Sequence, residues 1–107
     1  MSRESLGHFE LLVLLALLSQ DDEAYGVPIA RAIEESTGKP VILASVYNTL
    51  ERLEEKGMVR STIGKPTAER GGRAKRYFSI TTAGLREVKA AKKALTHLWG
   101  RVPVHEG

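Results

Sequence analysis

Leu43-Ala44-Ser45-Val46-Tyr47-Asn48-Thr49-Leu50-Glu51-Arg52-Leu53-Glu54-Glu55-Lys56-Gly57 is the stretch that decides the fold. Val46, Leu50 and Leu53 recur at spacings of four and three, so a helix here carries them on one face. Ala44, Ser45, Asn48 and Arg52 fall on the other side. Gly57 stands just past the last turn, where a left-handed residue commonly ends a helix. The product is a helix with an apolar back and a small, polar, hydrogen-bonding front, followed at once by a basic, glycine-rich segment. A helix that reads DNA beside a wing needs that pairing. An ordinary amphipathic surface helix is the other reading of the same residues.

Downstream, Met58 to Ile63 has strand character, and Gly64 to Gly72 is rich in turn residues with no apolar periodicity. Arg73 to Ile80 resumes as a strand, with Tyr77, Phe78 and Ile80 supplying β-favouring bulk. Between Arg60 and Arg76 lie six basic residues against Glu69 alone, a net +5. The whole chain of 107 residues carries only +3, which leaves −2 elsewhere. A local cationic patch on a balanced protein points to one polyanionic contact surface; a solvated charged hairpin is the alternative. Arg70, Arg73, Lys75 and Lys65 are the candidates to neutralise phosphates. Gly71 and Gly72 let the backbone turn tightly and approach a duplex closely. One of the wing arginines could enter a narrow minor groove. Arg76, at the strand, is equally suited to pair with a helix acid.

Upstream, Leu11 to Leu18 is apolar nearly all round within a first helix, which suits burial on two sides. Asp21 to Glu23 reads as a turn. Tyr25-Gly26-Val27-Pro28 opens a second helix, with Val27, Ala30, Ile33 and Glu34 at helical spacing, and Gly38 ends it. Val41-Ile42-Leu43 is either a very short strand or an extended lead into the third helix. Thr81-Thr82 is an N-cap pair for a fourth helix running to about Val102, with Val88, Ala91, Leu95, Leu98, Trp99 and Val102 in one arc. That stripe follows the winged unit and needs a cover. A second copy of the chain is the economical one, with Leu11, Leu15, Val88, Ala91, Leu95, Leu98 and Trp99 at the seam; folding back on the first helix is the alternative.

These elements make an α+β, mainly α, architecture: a winged helix-turn-helix of three helices and a two-stranded wing, plus a C-terminal dimerisation helix. The expected divisions are a DNA-binding unit over 1–81, the dimerisation helix over 82–102 and a frayed tail over 103–107. A chain this small commonly buries extra surface by pairing with a second copy. It has no cysteine, which excludes disulfides, zinc fingers and thiol chemistry and fits a cytoplasmic setting. The apolar run of the first helix is too short to span a bilayer. Its flanking acids argue against a cleaved leader. His8, His97 and His105 are scattered without metal-ligand spacing, so no metal or cofactor is expected. No catalytic constellation is present either.

At the third helix, Ala44 and Ser45 keep the first turn slim enough to enter a major groove. Asn48 can bond an adenine edge in two places. Arg52 can reach a phosphate or be neutralised within its own helix by Glu51 and Glu55.

Several segments together resemble the PadR family of prokaryotic transcription regulators. They are Leu6 to Leu12, Tyr25-Gly26, Ser45 to Gly57, Glu69-Arg70-Gly71-Gly72-Arg73-Ala74-Lys75-Arg76-Tyr77-Phe78, and Thr81-Thr82-Ala83-Gly84. The resemblance runs from about Leu6 to Trp99, and the short tail is similar to the subfamily with a single C-terminal helix. It implies a homodimer on a palindromic or near-palindromic operator in double-stranded DNA, usually acting as a repressor and often released by a small effector. It also implies that the Tyr47 hydroxyl bonds a phosphate while the ring packs. If the stripe forms the dimer seam, Trp99 either lines a pocket there where a planar aromatic effector stacks, as in some relatives, or is a plain hydrophobic anchor. The chain departs from the pattern at Ile42, where relatives often carry serine. A winged-helix protein-interaction module, favoured by the acids of the third helix, and a small-molecule sensor using the seam are the competing functions.

Overall fold

In the computed structural model, residues 6–20, 24–64 and 75–103 are described. The order is α1 (His8–Leu18), α2 (Gly26–Thr37), α3 (Leu43–Glu55), β1 (Val59–Ile63), β2 (Arg76–Ile80) and α4 (Thr82–Trp99). This is the mainly helical winged-helix architecture expected from the sequence. Helices α1, α2 and α3 pack on one another, and β1 and β2 pair antiparallel beside them.

The core sits where the three helices meet the sheet. Val13, Leu14 and Leu17 of α1, Ile29 and Ile33 of α2, Val46, Leu50 and Leu53 of α3, and Phe78 of β2 are all buried. Each such side chain contributes roughly 1.5–3 kcal/mol by leaving water. The back of α3 is therefore fixed by the apolar spacing that its sequence shows. Thr49 is buried with it. Helix α2 ends at Gly38, and α3 is followed by Gly57. Both glycines have left-handed φ, 72° and 79°.

The segment Val41–Ile42 is an extended lead rather than a strand, and Leu43 is the first residue of α3. Its course is tied down by the Val41 N–H, which donates to the Glu34 carboxylate at 2.8 Å. The wing pairs Val59 with Ile80 and Ile63 with Arg76. Strand β2 begins at Arg76, not at Arg73; Lys75 precedes it without strand geometry, and Arg73 and Ala74 lie outside the described residues. The turn expected at Asp21 to Glu23 also lies outside them. A link not read from the sequence joins the wing to the helices: Ala24 exchanges two backbone hydrogen bonds with Phe78 on the other edge of β2, at 3.0 and 2.8 Å.

Thr81 caps α4 and closes a junction. Its Oγ1 accepts from the Gly84 N–H at 3.1 Å and donates to the Gly57 carbonyl at 2.7 Å. A Cβ on Gly84 would run into the Met58 carbonyl oxygen and the Ile80 side chain. Gly84→Ala is accordingly expected to destabilise the chain by about 1–3 kcal/mol, the usual cost of overpacking. An unchanged urea-unfolding midpoint would contradict this tight seat. Beyond Val88 the helix leaves the core, and from Lys92 to Pro103 every residue is exposed. The helix stops at Trp99 with Gly100 as its cap, so Val102 lies past its end rather than on the predicted stripe.

Candidate nucleic-acid interface

The front of α3 is open. Ala44, Ser45, Asn48 and Arg52 are all exposed while Val46, Leu50 and Leu53 behind them are buried. No side chain caps the helix, because Ile42 occupies the N-cap position. The second face of α3 is used to hold the wing. Glu54 accepts from Arg76 at 2.7 Å and from the Ser61 hydroxyl at 2.8 Å, and Glu51 lies 3.4 Å from the same guanidinium. Arg76 is thus the structural partner of helix acids that the sequence allowed. Two of the three acids that made α3 look negative are spent on the wing's base.

Arg52 does not pair within its helix through Glu51 or Glu55. Its Nε lies 3.8 Å from Glu10 of α1, and a terminal nitrogen donates to the Thr49 hydroxyl at 3.3 Å. Glu51 is drawn away by Arg76, and Glu10 offers a less solvated carboxylate. Glu10 itself was not singled out by sequence reasoning. It is buried, accepts from the Gly7 N–H at 2.9 Å, and takes Lys56 Nζ on both oxygens at 3.0 and 2.9 Å. An acid in the first turn of an otherwise apolar helix, with a lysine at the end of another, was the available signal. Burial opposes the charge on Glu10, but the Gly7 N–H, Lys56 and Arg52 together outweigh it and hold its pKa below the usual carboxylate value.

A carboxylate with a depressed pKa stabilises the fold above its unfolded value, near 4.3, and that stabilisation is lost as pH falls through the folded pKa. Glu10→Gln is expected to cost about 1.5–3 kcal/mol at pH 7, the range for a hydrogen bond to a charged group. The gap from the natural chain should narrow in urea titrations as pH falls below the ordinary carboxylate value and close once it passes the lowered folded one. A gap that persists unchanged in acid would show that the pairing is not what Glu10 contributes.

Tyr47 lies at the edge of the buried face. Its hydroxyl accepts from the Gly26 N–H at 3.2 Å, at the first residue of α2, and its ring fills the space a Cβ on Gly26 would occupy. The Tyr47 proton is left for a further acceptor. Lys75 stands with its Nζ 3.7 Å from the Tyr25 ring centroid, and Tyr25 meets Tyr77 edge-on at 5.7 Å. A cation held on an aromatic face beside α2 is pre-positioned rather than freely swinging. The candidates Lys65, Arg70, Gly71, Gly72 and Arg73 lie outside the described residues.

The seam candidates fall in two groups. Val88 is buried and Ala91 half-buried within the chain itself, whereas Leu95, Leu98 and Trp99 are 58%, 60% and 72% exposed. Leu11 is half-buried, and Leu15, 44% exposed, opens on a groove lined by Leu12, Ala16, Ala32 and Ile33 between α1 and α2. Among the described residues there is no cluster of potential metal ligands, and no helix is long and apolar enough to cross a membrane.

Comparison with known proteins places this geometry. The chain is 36% identical over 93 residues to an uncharacterised 37.1 kDa protein in a transposon of Streptomyces fradiae. That match takes in 87% of the chain, which spans about a quarter (24%) of the relative's length. The fold is similar to a PadR family transcription regulator from Clostridium difficile (TM-score 0.73, 20% identity, 88% of this chain and 93% of that one). It is also similar to a PadR-like transcriptional regulator from Bacillus cereus (TM-score 0.70, 20% identity, 87% and 85%). A PadR family regulator from Eggerthella lenta gives a TM-score of 0.67 at 24% identity, over 83% and 75% of the two chains. The sequence pattern of the PadR-like transcriptional regulators matches residues 14–90, from α1 well into α4. With that match over most of its length, the chain belongs to the PadR-like family of transcriptional regulators.

Proposed function

We propose that this protein is a sequence-specific, homodimeric DNA-binding regulator, acting as a repressor in the cytoplasm on a palindromic operator. The observation that carries the reading is the two-sidedness of α3. Its apolar back is fully buried, its slim polar front is bare, and Arg76 with Glu54 locks the cationic wing beside it. Asn48 reads an adenine edge from the major groove. Ala44 and Ser45 admit the helix tip. Lys75, Arg52, the Tyr47 hydroxyl and the wing residues Lys65, Arg70 and Arg73 contact phosphates, with Gly71 and Gly72 letting the backbone come close. These groups position the protein, and the base contacts specify the site.

Dimerisation is supported by the second half of α4. Leu95, Leu98 and Trp99 are exposed apolar residues with no cover in one chain, and Leu15 is a further one, on α1. A soluble helix with such exposure needs a partner. Trp99 then lies at the seam, where a planar aromatic effector could stack on it and loosen the grip on DNA. Quenching of its fluorescence by planar aromatics, coupled to release of DNA, tests that part.

The reading itself is tested by an electrophoretic shift of the full chain on the DNA upstream of its own coding region. A specific complex that survives excess random duplex at about 150 mM salt is expected. Binding that never exceeds that of random duplex would refute it. A protein-interaction module has less support, because Glu51 and Glu54 are engaged by Arg76 instead of facing a partner.

A further inference from the structure

The first turn of α3 breaks a local rule without any return inside the chain. Ile42 occupies the N-cap position, where Ser, Thr, Asp or Asn would accept a hydrogen bond from the helix, and it makes none. The residue is 72% exposed, and Leu43, the next residue, is 40% exposed. Neither belongs to the buried core. Ile42 therefore stands largely in water at the tip of the helix and Leu43 is partly open to it, next in the chain to Ala44 and Ser45. The exposed apolar residues of α4 lie beyond the point where that helix leaves the core, and α4 packs against α1 and β2.

The N-terminal residues of a recognition helix are the ones that meet base edges. In the major groove, thymine presents a C5-methyl group, and apolar side chains recognise it by contact. We propose that Ile42 and Leu43 read thymine methyl groups in each half-site, so that part of the operator's specificity is carried by apolar contact instead of hydrogen bonding. The inference rests on the DNA-binding reading above and gives it a base chemistry. Along a helix rising 1.5 Å per residue, Leu43 and Asn48 are about 7.5 Å apart in the axial direction. The thymine therefore lies within about two or three base pairs of the adenine read by Asn48, at the usual 3.4 Å per step.

The test replaces thymine by deoxyuridine, one position at a time, in the duplex obtained by selection with the full chain, and measures affinity by fluorescence anisotropy. Removing only the methyl group leaves every hydrogen-bonding edge in place. Affinity is expected to fall about fourfold at one position per half-site and about fifteenfold with both half-sites changed, the worth of one and two buried groups of CH2 size. Ile42→Ser, at an exposed position where serine is the better cap, keeps the fold and should bind thymine and deoxyuridine duplexes more nearly alike; with Leu43→Ala added, the difference should vanish. Equal affinity for all deoxyuridine duplexes would overturn the inference and leave the DNA-binding reading intact. Discrimination that survives in the Ile42→Ser, Leu43→Ala variant would overturn it too. If selection enriches no sequence at all, the DNA-binding reading fails and takes this inference with it.

Discussion

Phe78→Ala is expected to destabilise the chain by about 3–5 kcal/mol, the cost of removing a fully buried aromatic side chain. Phe78 is 0% exposed; its backbone makes the Ala24 bridge before α2 and it lies opposite Ser61 in the wing. Its ring stands 6.3 Å from that of Tyr47, the α3 residue whose hydroxyl meets the start of α2. The cavity thus opens where α2, α3 and the wing are joined. Urea unfolding should show the full loss, and DNA affinity should fall with it because the wing loses its fixed place beside α3. A change below about 1 kcal/mol, smaller than the loss of two methylenes, would show that the core is not organised around this ring.

Asn48→Ala should leave stability unchanged, since Asn48 is exposed and alanine is the better helix former. Its effect is expected on discrimination: about 1–3 kcal/mol for each half-site, and so about twice that for a dimer on a symmetric operator. Affinity for random duplex should hardly move. Arg73→Ala is the contrasting change. It should weaken all sequences alike and lower the salt slope by about 0.9 for each phosphate contact removed. Competition binding at several salt concentrations separates the two. Identical behaviour of both variants would mean that Asn48 reads no base.

Much of this architecture is legible in the sequence because it depends on local periodicity. The spacing of Val46, Leu50 and Leu53 dictates which side of α3 is buried, and the bare front follows. Gly38, Gly57 and Thr81 mark helix ends through backbone or capping chemistry that needs no tertiary partner. Contacts between elements are harder to see. Glu10 reads as a polar residue on an apolar helix, and only the docking of Lys56 from another helix makes it a buried ion pair. The bridge at Ala24 involves a single residue, too short for a strand pattern. Arg52 has acids on both sides in its own helix, yet Arg76 claims one of them across the wing and Glu10 becomes the nearer partner. The register of the wing follows from where β1 stops before the basic segment and where β2 starts after it, and turn-rich sequence does not specify those points. Ile42 is conspicuous in sequence as a poor cap, but its exposure is what gives it meaning.

The central claim is that two α3 helices of a dimer enter successive major grooves while the wings grip the flanking phosphates. In vitro selection from random duplex, using the full chain, tests it most directly because site, symmetry and spacing emerge together. The account predicts an inverted repeat whose half-sites are about one helical turn, 10–10.5 base pairs, apart centre to centre. Enrichment of no sequence, or of a lone asymmetric site bound by a single chain, would contradict it.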